Sequence, residues 1–288
     1  MFYNNQHIVQ QKHSVIKIQA EQKNEWNTYE ASRYGEMHLE RADIPLIDEI
    51  KAIDEQLAEN PAQPELWMER GKILRKKQKL CREAIESHSM GLTFEPFNAL
   101  LYRHRGHVCI NVGRYIEGAA DFEISLRINP LNWDSWYHLG LAYYLLNDYQ
   151  RARKAYEGCL AITKDEESLV AVTDWYWLTM MHLGDVKLAT EALDKVSETF
   201  NIVENLGYFK RVLVYKGLLD AMEVFHDAET FDDNVLFATQ SYGLSYYLEH
   251  QGKLNEAYEI LRKIMDRSDD AWSCFAVHAT SVRLHSWK

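Results

Sequence analysis

From Asn98 to Lys164 the chain writes one pattern twice at a fixed offset. Pro96 and Pro130, Asn98 and Asn132, Tyr102 and Trp136, His104 and His138, Gly106 and Gly140, Tyr115 and Tyr149, Phe122 and Tyr156, and Leu126 and Leu160 are each 34 residues apart. Self-similarity at such a period marks a stacked repeat rather than an ordinary globular domain. Apolar residues within each copy recur at helical spacing and not in alternation, which predicts two helices per copy and no strands. Small residues at Gly140 and Ala152 let the paired helices approach, while Trp136, Tyr143 and Tyr156 fill the space around them.

In the second copy Trp136, Leu139, Gly140, Tyr143, Ala152, Tyr156 and Cys159 stand in the order large, large, small, large, small, large, small. This order resembles the tetratricopeptide repeat. The resemblance implies an all-α, right-handed superhelical solenoid of antiparallel helix pairs. It covers about Ile44 to Lys288, most strongly from Trp67 to Val196. The best repeats fall at 64–96, 97–130, 131–164, 168–200 and 238–266, with degenerate units at 44–61 and 203–230 and a C-terminal capping helix at 270–287. The whole chain is also similar to small bacterial proteins built only of these repeats.

Several places depart from the pattern. Residues 1–43 do not match the repeat, and Trp26, Tyr29, Arg33 and Met37 share one helical side. The segment reads either as a cap or as an arm that folds into the protein's own groove or exchanges with a neighbour. Asp43, Ile44 and Pro45 predict a helix start, since the aspartate can accept from free amides and proline needs none in the first turn. The first full repeat carries one extra residue in its turn. Trp177 stands where the fourth repeat wants a small residue, and should part the helices or turn toward a neighbour. In the fifth unit, Leu206, Phe209, Leu213, Leu219 and Met222 are expected inside.

Composition narrows the function. The net charge of −11, from 32 basic and 43 acidic residues, argues against nucleic-acid binding, which relies on Lys and Arg displacing phosphate counterions. Cys81, Cys109, Cys159 and Cys274 have no CxxC or metal-ligand spacing, so free thiols in a reducing compartment are expected. No stretch has the roughly 18 continuous apolar residues of a membrane span, and the first residues lack signal-peptide character. A soluble cytoplasmic protein follows as the expectation. Trp272 and Trp287 near the end suit either cap or homo-oligomer interface.

In the family, positions five, nine, twelve and thirteen of each repeat face the concave groove. Carried onto this chain, the resemblance implies a peptide-binding groove of Arg103, His107, Tyr137, Leu141, Tyr144, Asp174, Leu178 and His182. Rigid aromatics beside a few cationic or titratable groups suit a protein or peptide segment. The family's carboxylate-gripping clamp is not reproduced, because its positions hold Arg103, His107, His138, Ala171 and Trp175. A secondary patch lies in the basic run Arg75, Lys76, Lys77, Lys79 and Arg82, which reads as a solvated helix end or as a docking patch for an acidic partner. His104, His107 and His138 form the only constellation resembling a metal site, yet no carboxylate follows at a second-shell spacing. A milder reading has these histidines turning cationic below about pH 6.5 and tightening acidic peptides. No nucleotide-binding or hydrolase motif is present. The expected function is therefore a non-catalytic binding scaffold without cofactor or metal, with a groove regulated by its own arm, or a small enzyme at the histidines, as the alternatives.

Overall fold

A computed structural model describes residues 44–286. The described residues form fourteen α-helices and one π-helical turn, with no strand. Helix α1 (Asp48–Glu59) is followed by six antiparallel pairs: α2 (Pro64–Ile73) with α3 (Cys81–Phe94), α4 (Ala99–Asn111) with α5 (Tyr115–Ile128), α6 (Trp133–Leu145) with α7 (Tyr149–Ile162), α8 (Glu166–His182) with α9 (Val186–Leu193), α10 (Leu206–Tyr215) with α11 (Ala221–Glu229), and α12 (Asn234–His250) with α13 (Leu254–Asp266). A last helix, α14 (Phe275–Ser286), ends the described chain. The all-α solenoid expected from the repeat is the fold.

Local chemistry sets the helix ends. Asn98, Asn132, Asp148, Asp165, Asp185, Asp220 and Asp233 each accept from free amides of the helix that follows. Within the pairs, Gly113, Gly184, Gly217 and Gly252 take φ of 73–76° and turn the first helix into the second. Close approach is visible at Gly140, where an added Cβ would overlap the fully buried Tyr156 ring.

Four local expectations are corrected or resolved. Helix α1 starts at Asp48, after the extended residue Ile47, because Asp48 and Glu49 supply the acidic first turn; Ile50, Ile53 and Leu57 point inward. The extra residue of the first repeat is absorbed as the π-helical turn Leu74–Gln78. Trp177 turns to its neighbour and stacks on Tyr215, with ring centroids 3.8 Å apart. In the fifth unit Phe209 is buried, but Leu206 and Leu219 are exposed; Arg211, Val212, Val214 and Tyr215 face the core instead. The readings made for residues 1–43 and for Trp287 lie outside the described residues.

The first helices of successive pairs pack against one another and form the inner side of the superhelix. After α13 the chain turns back across that side. Trp272 joins the first-repeat core of Ile73, Leu74, Val108 and Val112. Asn111 Nδ2 donates to the Ser273 carbonyl at 2.8 Å, closing a sequence separation of 162 residues. Helix α14 then packs against α12 and α13 and also reaches α6. Ala276, Val277, Ala279, Thr280 and Ser281 are all no more than 3% exposed, so the solenoid wraps α14 around most of its circumference.

Candidate functional site: the inner face

The helical pairing brings the implied groove residues to one side. On α4, Arg103 pairs with Asp134 at 2.8 Å and its guanidinium meets His104 Nδ1 at 3.0 Å. His107 on α4 and His138 on α6 lie with ring centroids 4.4 Å apart. The Tyr144 hydroxyl contacts the Tyr242 hydroxyl at 2.8 Å and His182 Nε2 at 3.1 Å. Asp174 on α8 and Arg211 on α10 form a wholly buried ion pair at 2.7 Å.

This side is not an open groove. Tyr137, Leu141, Tyr144, Asp174 and Leu178 are buried, while Arg103, His107 and His182 keep partial exposure. The cover is the chain's own C-terminal part. Phe275 sits 5.7 Å from the His107 ring and 5.8 Å from His138, and His278 Nδ1 meets the Tyr115 hydroxyl at 2.6 Å. Phe275 and His278 are three apart on α14, so one helical face anchors both contacts.

Burial also decides the electrostatics. It pushes His104 down to about 3 and His138 down to about 4, with the Arg103 guanidinium adding to both, and drives His107 well below the usual imidazole range. These rings are neutral at pH 6, which corrects the reading of a cationic histidine cluster below pH 6.5. Among the described residues no group of three His, Cys, Asp or Glu side chains is placed to hold a metal ion. Asp174 is pushed up to about 6 by burial, against the pull of Arg211. The cysteines are free thiols, with Cys81, Cys109 and Cys159 buried.

The basic run is divided. Lys77 pairs with Glu49 at 2.5 Å and Arg82 with Glu86 at 3.1 Å, whereas Arg75, Lys76 and Lys79 line a cavity of about 260 Å³. Sequence reasoning missed Arg211, Phe275, His278 and Arg283, the last of which bonds Ser245 Oγ at 2.7 Å and pairs with Glu249. One signal was present for Arg211. Gly243 occupies the small position where a Cβ would collide with Arg211 and Tyr215.

A family model described as tetratricopeptide repeat matches residues 106–166. The crystal structure of a tetratricopeptide repeat protein from Parabacteroides merdae superposes with a TM-score of 0.54 at 15% identity, covering 88% of this chain and 98% of that one. The APC/C hetero-tetramer Cut9–Hcn1 gives a TM-score of 0.50 at 14% identity, over 84% of this chain and 50% of that one. YrrB, described as a TPR protein with an unusual peptide-binding site, is 18% identical with a TM-score of 0.47, over 80% of this chain and 98% of that one. No curated protein matches the chain. Among the described residues no helix is long and apolar enough to cross a membrane. The matched model places a tetratricopeptide repeat at residues 106–166, where the internal repeat was read, and the Parabacteroides merdae structure shares the solenoid fold along most of the chain.

Proposed function

We propose that the protein is a non-catalytic protein-binding scaffold whose inner face takes a helical segment. In the state described, α14 holds that place; a partner's helix takes it by exchange. One observation carries the reading. Phe275 and His278, at i and i+3 of one helix, dock on His107, His138 and Tyr115, an anchor spacing that helix-in-groove recognition also uses. The net charge of −11 supports a protein partner over nucleic acid. The contacts Arg103, His107, Tyr137, Leu141, Tyr144, Asp174, Leu178 and His182 then act on a partner only once α14 has moved aside.

The test uses full-length protein as bait. Phe275→Ala with His278→Ala is expected to loosen α14 and to retain more partner than the wild-type bait, and a synthetic peptide of residues 270–288 is expected to release it. Equal retention on both baits, or retention indifferent to the peptide, would overturn the reading.

A further inference from the structure

Four cations in and just before the basic run are already matched. Arg70 pairs with Asp54, Lys72 with Glu69, Lys77 with Glu49 and Arg82 with Glu86. Arg75, Lys76 and Lys79 differ, for among the described residues no carboxylate lies within ion-pairing distance of them. These three converge on the one cavity of about 260 Å³. The backbone explains the convergence. The π-helical turn Leu74–Gln78 widens the helix end, the Leu80 amide closes it on the Leu74 carbonyl at 3.1 Å, and Lys79 takes a left-handed φ of 57°. Corresponding turns of the later pairs place Gly113, Asn147, Gly184, Gly217 and Gly252 in that region. A lysine is thus held where a glycine would sit with less strain.

Among the described residues, the rest of the lining supplies no carboxylate. Burial pushes the Cys81 thiol up to about 11, so it stays neutral. The Asn111 amide is spent on the Ser273 carbonyl at 2.8 Å and on the Arg75 guanidinium at 3.4 Å. Trp272 and Ser273 form the far wall, contributed by the C-terminal segment that closes over the first repeat. In a chain of net charge −11, a cavity lined by three cations and, among the described residues, by no carboxylate is a local reversal of the field.

We propose that this cavity is a binding site for a phosphate dianion, free or as a phosphomonoester. A carboxylate would offset one of the three positive charges. A phosphomonoester carries about −1.5 to −2 at pH 7 on three acceptor oxygens, a closer match to one guanidinium fork and two ammonium groups. Trp272 and Ser273 immediately precede α14, so the cavity is complete in the closed state described, and phosphate binding to that state does not require the inner face to exchange its helix. A bound phosphate would bridge the first repeat and the C-terminal segment.

The full-length protein is to be titrated calorimetrically with inorganic phosphate and with phosphoserine, against serine as blank, at matched low ionic strength. Saturable binding of inorganic phosphate alone assigns the site to free phosphate; binding of phosphoserine at least as tightly assigns it to a phosphomonoester. Lys79→Gly is the informative variant. It relieves the left-handed residue, so the unliganded protein should melt no lower than wild type, while phosphate affinity falls about tenfold or more through the lost charged contact. Lys76→Ala should weaken binding in the same direction. The proposal is overturned if nothing saturates up to about 1 mM ligand, if both variants bind as wild type, or if a peptide of Asp and Glu binds while both phosphate probes do not.

Discussion

Gly140 shows how much one missing side chain contributes. Its Cβ would enter the ring of Tyr156, which is fully buried and has no free direction in which to move. Gly140→Ala should therefore destabilise by about 1–3 kcal/mol through overpacking. Gly207 in α10 is the control, because its Cβ would meet Gln240 at ordinary contact distances of 3.6–3.7 Å. There, Gly207→Ala should be neutral or stabilise by up to about 1 kcal/mol from helix propensity alone. Chemical denaturation of both variants decides the matter, and an equal loss in the two would show that packing at Gly140 is not the cause. Gly140 was legible from the sequence because Gly106 repeats it at the fixed offset. Trp177 was legible only as an anomaly, since its stacking partner Tyr215 lies in a repeat whose pattern is blurred.

At the scale of the helix, α10 is the place where pattern reading failed. A hydrophobic period ranks Leu206 in α10, and Leu219 in the turn after it, as core and has no means of ranking a guanidinium there. The structure buries Arg211 because Asp174, on α8, meets it at 2.7 Å, the Thr239 carbonyl accepts from it at 2.8 Å, and Tyr208, Trp175 and Tyr242 surround it with ring faces. Such a partner set is assembled by tertiary structure and is invisible in one helix. Removing only the cation leaves a buried carboxylate unpaired. Arg211→Met should therefore destabilise by about 3–5 kcal/mol, and the double change Arg211→Met with Asp174→Leu should restore much of that loss. Denaturant midpoints of the two variants test this; a double variant as unstable as the single one would locate the loss elsewhere. The same limit applies to α14. Its sequence was readable as a terminal helix, and the implied groove residues do gather on one side. What the sequence did not disclose is that the two belong together, because the contact spans more than half the chain.

Closure makes the whole molecule sensitive to acid. His88, His104, His107, His138, His182 and His278 all have their pKa lowered, chiefly by burial, with His182 pushed down to about 3 and His278 to about 4. They lie on α3, α4, α6, α8 and α14, so they include both sides of the contact that closes the superhelix. In the unfolded chain each would titrate near 6.5. Their contribution to stability is thus fully present above that value and is lost as pH falls below it, since the unfolded chain then takes up protons that the native fold refuses. Asp174 works in the opposite sense. With its folded pKa raised to about 6 from an ordinary 3.8, the native state takes up a proton between those values, and stability from this group rises as pH falls through that window. One carboxyl does not offset six imidazoles, each worth about 1.4 kcal/mol per unit of separation between native and unfolded titration. The melting temperature is accordingly expected to stay level from pH 7.5 to about pH 6.5 and to fall from there to pH 5 at constant ionic strength. A midpoint that holds or rises between pH 6.5 and pH 5 would mean that the histidines are not kept neutral inside, and with them the packed closure by α14 would have to be given up.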